Sequence, residues 1–401
     1  MLSVEDALTQ VLAGVRTLDA SPVAIVRAAL RHTRATVNAS ATNPPCDVSA
    51  MDGYALRAQD VRTVPATLKV IGEAPAGGNF AGSVGPGEAV RIFTGGPVPD
   101  GADAVIAQED VRVTNSREIE IRESAGTGKH IRRKGGDFSR GDQLLAAGQH
   151  LSAPALALAA AGGAATLEVA PRPRVALLAT GDELVPPGTM PAANQIVASN
   201  TLGLAALVIA AGGEPVDLGI APDDPKAIAE AASSAGDADI LVTTGGASVG
   251  DRDYVQSALG AAGLEVGFWK IAMKPGKPLI FGTFRGKPFF GLPGNPVSAL
   301  VCALLFLRPA LLKMQGRDPA LARIDVTLAG GLPANGARQD YLRAKLVSGE
   351  ANGLSARVFP VQDSASLKVL AASDVLVIRP PHAPPAQAGD LVPAIPLAGV
   401  W

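Results

Sequence analysis

Cysteine is almost missing from this chain: Cys46 and Cys302 are the only two in 401 residues. Lying so far apart, they offer neither a disulfide framework nor a cysteine metal site, and a reducing compartment fits. Aromatic residues are scarce as well, at 4%. With a net charge of -2 there is no basic excess, so nucleic acid is not an expected partner. Long apolar runs are also lacking. The longest, Val297 to Leu307, stops at Arg308, short of a membrane span, and Glu5 and Asp6 sit where a secretory signal would carry its basic start. The expectation is a cytoplasmic protein with no membrane partner. What the chain has in quantity is glycine and proline, 45 and 32 residues, which favours many turns and short strands over a helical bundle. Its length exceeds one ordinary core, so several domains are expected.

Local patterns divide the chain. After Ser3, the positions Val4, Leu8, Val11 and Leu12 recur at helical spacing, which predicts an amphipathic helix in the stretch running to about Ala41. Asn43, Pro44 and Pro45 break it. From Leu68 to Arg122 short alternating segments predict a small β domain over 46–137. The alanine-rich stretch from Leu151, with Pro154 near its start and Gly162-Gly163 at its end, reads as a short helix. Residues 1–45 and 138–172 are grouped as an N-terminal helical domain, with a boundary at Pro171 and Pro173. An α/β domain is expected over 173–320 and a C-terminal β barrel over 321–401. The fold class is therefore α/β plus β, multidomain.

The most informative stretch is Asp237 to Gly263. Ile240 to Thr243 has the character of a buried strand, Gly245 and Gly246 permit a turn, and Ser248 to Tyr254, through Gly250, lead into a helical pattern. A strand, a glycine turn and a helix start make an anion cradle, and Asp251 and Asp253 are placed to hold a hard cation. A tight turn whose glycines serve packing alone fits the same residues. Context favours the cradle. From Arg174 strands and helices alternate, so parallel strands joined by right-handed crossovers put their carboxyl ends on one edge. Gly181-Asp182-Glu183, Asp223-Asp224 and Gly245 to Asp253 all follow such strands, which predicts a magnesium and phosphate site at the edge where open α/β sheets bind ligands.

Other candidates are weaker by themselves. Lys270, Lys274 and Lys277 cluster around a Pro-Gly bend with apolar neighbours, as a loop facing an anionic ligand would. Pro293, Gly294 and Asn295 end another strand and are placed to shape the same crevice. Thr94 sits beside Gly95-Gly96, and Asp52 beside Gly53. Ala125 to Lys129 lacks the full phosphate-loop pattern and is read as a loop. Arg338, Arg343, Ser364 and Ser366 read from the residues alone as a polar rim.

Taken together, Ser49 to Ala55, Arg91 to Gly95, Arg133 to Asp137, Ala179 to Leu184, Thr243 to Tyr254, Lys274 to Phe281 and Gly291 to Ser298 resemble the molybdopterin molybdenumtransferase family, to which the C-terminal domain of gephyrin is related. The resemblance implies transfer of molybdenum from molybdate onto adenylylated molybdopterin, with loss of AMP and use of magnesium. It assigns catalytic positions to Asp52, Thr94, Asp137, Glu183, Asp253, Lys270 and Lys274, and metal positions to Glu183, Asp223 and Asp253. Substrate-binding positions are Gly245, Gly246, Ser248, Gly250, Asp223, Lys277, Pro293, Gly294, Asn295, Arg343 and Ser364. It implies an elongated homodimer, dimerising through the N-terminal domain, with the preceding molybdopterin adenylyltransferase as a partner. Gln362 to Asp374 departs from the family pattern, with Ala-Ser-Asp where Ala-Asn is commoner. Two alternatives stand beside this reading: an adenylyltransferase acting on ATP and molybdopterin, and a non-catalytic gephyrin-like scaffold.

Overall fold

The alternation that begins at Arg174 builds a six-stranded sheet in the order Glu214–Ala221, Arg174–Thr180, Ile240–Thr244, Lys287–Leu292, Pro278–Phe284, Leu264–Lys270. The first four strands are parallel and the last two antiparallel additions. A computed structural model describes this and the rest of the chain over residues 1–246, 254–348 and 354–400. Contacts divide it into two units, Met1–Ser21 with Ala170–Trp401, and Pro22–Val169.

Period-two alternation explains how the sheet is covered. Val175, Leu177 and Val242 face one core, with helices Asn200–Ala210 and Pro296–Met314. Ala176, Leu178 and Leu241 face another, with helices Pro225–Ser233 and Tyr254–Ala261. Strands buried on both faces read as continuous apolar runs, as Arg174–Thr180 does. The helix Pro296–Met314 has 19 residues and a mean hydropathy of 1.8, enough by length and composition to cross a membrane, but 83% of its apolar window is buried in the unit, as in a core helix. It runs on through Arg308, past the end of the apolar run at Leu307, to Met314. Pro309 removes the N–H that would bond four residues back, and the preceding turn, Ala303–Leu307, widens into a π-helix.

The last 80 residues close a barrel: Gln339–Ser348 pairs with Leu354–Val358 and, at its other edge, with Val375–Arg379, while Ile324–Leu328 and Leu391–Pro396 complete the ring. Closure removes free strand edges.

The N-terminal helix covers the periodic positions but little of the stretch to Ala41. It spans Val4–Ala13, capped by Ser3, whose hydroxyl oxygen accepts from the Asp6 N–H at 3.0 Å. Val4, Ala7, Val11 and Val15 pack into the core shared with Val175 and Leu204. This segment thus belongs with the α/β unit and not with 138–172. The stretch from Gly14 to Ala41 has no α-helix, only a 3-10 turn at Ile25–Arg27: Ser21–Ala24 pairs with Thr166–Val169, and Val37–Asn38 with Gln143–Leu145. In the second unit only Ala153–Ala161 is α-helical among the described residues, so a helical domain is replaced there by a small mixed one around Ala28, Leu145, Leu151 and Leu167. The inserted β domain is a six-stranded sheet, ordered Ala104–Ala107, Gly53–Leu56, Glu88–Ile92, Ala66–Ala74, Glu118–Ile121, Val111–Asn115.

Candidate functional site

Order reverses between the strands ending at Thr180 and Thr244, and a cleft of about 610 Å³ opens there at the carboxyl edge of the sheet. Its wall includes Glu183 and Asp223 from two crossover loops, Gly245 and Gly246 from a third, and Pro293, Gly294 and Asn295 from a fourth. At Gly245 φ is 99°, and a Cβ would stand 2.3 Å from the Thr180 carbonyl oxygen, so only glycine lets the two loops meet. Beside it the Thr180 hydroxyl is buried and has no hydrogen-bond partner among the described residues, a polar atom at the cleft floor. At Gly181 a Cβ would meet the Glu183 carboxylate at 2.6 Å, so glycine leaves room for that side chain to fold back over the strand end.

Hydrogen bonds tie these loops together. The Asp223 N–H donates to Asp182 Oδ1 at 3.0 Å. Asn200 Nδ2 donates to Thr244 Oγ1 and to the Gly294 carbonyl, both at 2.8 Å. Asn200 was not among the sequence candidates: an asparagine before an apolar helical run reads as a cap, and here its side chain bridges two strand ends instead. Asn295 Nδ2 donates to Ser364 Oγ at 3.0 Å, and the Val297 N–H to the Ser364 carbonyl at 3.0 Å, which brings Ser364 to the rim where Ala365 lines the cleft. Asp224 instead caps its helix, accepting from the Ala227 N–H at 2.8 Å.

Helices Asn200–Ala210 and Pro296–Met314 start at this cleft, so the positive ends of their dipoles favour an oxyanion; the first-turn N–H groups of the former add to this, whereas in the latter Pro296 has none and that of Val297 is taken by the Ser364 carbonyl. Glu183 and Asp223 supply oxygen donors only. That set suits a magnesium ion, which takes one or two carboxylates and completes its shell with waters and ligand phosphate oxygens. Among the described residues no three acidic, histidine or cysteine side chains form a metal cluster; Ser248, Gly250 and Asp253 lie outside the described residues.

The lysines sit apart from the cleft wall. Lys270 Nζ stands over the Trp269 ring, 4.0 Å from its centroid, and Lys274 Nζ lies 3.9 Å from Asp340 Oδ2. Burial pushes the Asp340 carboxyl up, against the pull of Lys274. The Lys277 carbonyl accepts from the Ile271 N–H at 3.1 Å, and the cleft begins at the next residue, Pro278. Arg343 is 2% exposed, and burial lowers its pKa. Its guanidinium donates to the carbonyls of Tyr341 at 3.2 Å and Asp363 at 3.4 Å, so it braces the loop that carries Ser364. Gln362 works beside it, accepting from the Arg343 N–H at 2.9 Å and donating back to the Arg343 carbonyl at 2.9 Å.

In the second unit a cavity of about 840 Å³ is lined by Asn43, Cys46, Gly95, Arg132, Arg133 and Asp137, among others. Asp137 Oδ2 accepts from Asn43 Nδ2 at 3.1 Å. Thr94, next to Gly95, donates both its N–H and its hydroxyl to Asp52 Oδ1 at 2.7 Å. The N–H first and the hydroxyl second hold the Asp52 carboxyl below its ordinary value, with help from Arg91. That guanidinium is stacked against Tyr54 and Phe93, 5.0 and 5.1 Å from their ring centroids.

Comparison with known proteins accounts for most of the chain. Family models match as the MoeA N-terminal region (domain I and II) over residues 2–163, a probable molybdopterin binding domain over 176–313, and the MoeA C-terminal region (domain IV) over 325–397. A molybdopterin molybdenumtransferase of Nostoc sp. is 39% identical over 322 residues, covering 77% of this chain and 73% of the relative. Its counterpart in Synechococcus elongatus is 36% identical over 397 residues, covering 95% and 96%. A crystal structure of the molybdopterin biosynthesis MoeA protein from Pyrococcus horikoshii superposes with a TM-score of 0.82 at 32% identity, covering 99% of each chain. With its three regions matched in order and its relatives similar over most of their length, the chain belongs to the molybdopterin molybdenumtransferase family.

Proposed function

We propose that this protein inserts molybdenum from molybdate into adenylylated molybdopterin, releasing AMP, as its step in molybdenum cofactor biosynthesis. The observation that carries the reading is the convergence of Glu183, Asp223, the Gly245 turn and the Gly294 turn on one cleft, joined by Asn200. Backbone N–H groups at the start of helix Asn200–Ala210, with the dipole of helix Pro296–Met314, are preorganised for the phosphate, and preorganised groups need no rearrangement as charge develops. A magnesium ion held by Glu183 and Asp223 would neutralise phosphate charge. Pro293, Gly294 and Asn295 shape the opposite wall, and Ser364 is held at the rim by Asn295 and Arg343.

Asp52 and Thr94 are assigned to the same reaction, together with Asp137, Lys270, Lys274 and Asp253. Asp52 is suited to hold negative charge, because two Thr94 donors keep it ionised. A homodimer belongs to the reading too. Leu202 and Ile209, seven residues apart on one helix, are 58% and 61% exposed, as a face covered by a second copy would be.

The test incubates purified protein with adenylylated molybdopterin, molybdate and magnesium and follows AMP. Release that depends on molybdate supports the proposal, and Glu183→Gln or Asp223→Asn should suppress it with little change in melting temperature. ATP consumption with free molybdopterin would instead mark an adenylyltransferase. Neither reaction, with tight protein binding, would mark a scaffold.

A further inference from the structure

Two of the four histidines meet in the second unit, at residues to which the proposed reaction gives no role. His32 and His150 oppose each other across an antiparallel bridge, and the backbone bonds beside them fix what kind of pair they are. The Leu151 N–H donates to the Arg31 carbonyl at 2.8 Å and the Thr33 N–H to the Gln149 carbonyl at 3.0 Å, so the hydrogen bonds flank the pair instead of joining it. Partners of this kind have the closest approach in an antiparallel ladder, and both side chains stand on one face. The two rings accordingly lie 5.0 Å apart between centroids, with their planes inclined by 54°. His32 is 9% exposed, and His150 is open to solvent.

A ring contact alone spans about 4.5–7 Å and would accept any aromatic residue. Two imidazoles offer more, because each neutral ring carries a nitrogen lone pair and imidazole is the commonest metal ligand. Zinc binds a histidine nitrogen at about 2.0–2.1 Å, and the ring centre lies about 1.2 Å behind that nitrogen, so two rings on one tetrahedral ion have centroids about 5.2 Å apart. The observed separation matches that spacing. His150, being exposed, can turn about its side-chain torsions to present a nitrogen, while the other nitrogen of each ring is left for the hydrogen bond that orients a ligating histidine. Arg31 and Arg34 are close to His32 in sequence. The exposed Glu168, whose carbonyl accepts from the Arg34 N–H at 2.8 Å, sets an acidic residue across from the second of these charges.

We propose that His32 and His150 form a two-histidine site for a divalent ion of the zinc class. Imidazole suits zinc, nickel and copper, whereas magnesium prefers oxygen and keeps its waters. Among the described residues no third histidine, cysteine or carboxylate completes a ligand set, so water fills the remaining positions and the ion is held less tightly than a structural zinc with four protein ligands. The two segments carry the backbone out to the inserted β domain and back, so an ion joining them clips the neck of that domain. An ion that binds only the folded form adds its binding free energy to the stability of this unit.

Tag-free wild type and His150→Ala are titrated with Zn2+ by calorimetry in excess magnesium, which fills oxygen sites, and their melting is followed with and without zinc. Wild type should bind one more equivalent than His150→Ala, and zinc should raise its melting temperature more. Because His150 is exposed, its loss should leave the zinc-free melting temperature nearly unchanged. His32→Phe, which keeps a ring in the buried position, should lose the same equivalent. Cu2+ in place of zinc should show two nitrogen ligands by electron paramagnetic resonance in wild type and fewer in either variant. Cys46→Ser and His130→Ala should bind as wild type does. Equal zinc uptake and an equal melting shift in wild type and His150→Ala, or loss of the ion in Cys46→Ser instead, would overturn the proposal. AMP release in magnesium should be the same in wild type and His150→Ala, so the outcome is independent of the reaction assigned to the cleft.

Discussion

One added methyl group tests the cleft geometry most directly. In Gly245→Ala the new Cβ would lie 2.3 Å from the Thr180 carbonyl oxygen and 2.9 Å from its hydroxyl, on a backbone whose φ is 99°. Thr180 ends a strand paired on both sides, with Ala179 opposite Thr244 and Thr180 opposite Ala221, so the carbonyl has little room to retreat. Left-handed backbone costs alanine about 1–2 kcal/mol, and forcing extra atoms into packed structure costs about 1–3 kcal/mol. A destabilisation of about 3 kcal/mol follows, which for a unit of this size lowers the melting temperature by roughly 6–12 °C. Should the turn lift away from Thr180 to relieve the contact, the stability loss shrinks toward the backbone contribution and the ligand loses its wall. Melting and molybdopterin binding are therefore measured together. Gly260→Ala is the control: no neighbour lies within 4 Å of its Cβ position, in the last turn of the helix Tyr254–Ala261, so alanine there should be accepted without loss and stabilise by at most about 0.5–1 kcal/mol. If Gly245→Ala melts and binds like wild type, the close approach of the two loops is not what forms the cleft.

Asn200→Ala removes both donors that join Thr244 to Gly294; it should cost about 1–3 kcal/mol in denaturant unfolding and weaken molybdopterin binding, and unchanged binding would show the tie to be dispensable. Thr94→Val removes one of the two bonds that depress Asp52. The sign follows from the lowered folded-state pKa: the ionised carboxylate persists to acid pH in wild type, so losing the hydroxyl should move the acid limb of the AMP-release profile to higher pH, by less than the whole depression because the Thr94 N–H remains. An unmoved limb would dissociate Asp52 from the rate. Asp374→Ala should destabilise the barrel by about 1–2 kcal/mol without slowing AMP release, since Asp374 accepts from the Leu346 N–H and from Lys345 Nζ, each at 2.8 Å; equal denaturation midpoints would refute it.

The α/β domain was legible because its signals are periodic and local. Arg174–Thr180, Ile240–Thr244 and Pro225–Ser233 fall within two residues of the spans that the pattern gives, Val175 to Ala179, Ile240 to Thr243 and Pro225 to Ala235, and parallel crossovers then oblige Glu183, Asp223 and Gly245 to share an edge. The N-terminal region was less legible. Helical spacing to Leu12 says nothing about Ser21–Ala24, whose partner Thr166–Val169 lies more than a hundred residues away. A helix also ends where its caps and core end, and Gly14 closes this one after Val11 has been buried.

Side-chain placement separates the two kinds of candidate more sharply. Glu183, Asp223, Gly245 and Gly294 reach the cleft through the backbone path of a strand end, which topology alone determines. Arg343, Lys274 and Lys270 occupy positions whose meaning depends on partners distant in sequence or on a neighbouring ring: Asp363 for the first, Asp340 for the second and Trp269 for the third. No spacing rule carries that information, since a strand's alternation says which face a residue takes and not what stands opposite it. Arg343 is the instructive case. Its place on the barrel strand is legible from the alternation of Tyr341 and Arg343, but its burial depends on the Gln362 clamp and on the carbonyls of Tyr341 and Asp363. A cation held that way acts on the cleft through Ser364, so Arg343→Lys, which keeps the charge but loses the planar fork, should disturb the loop more than neutralising an exposed lysine would.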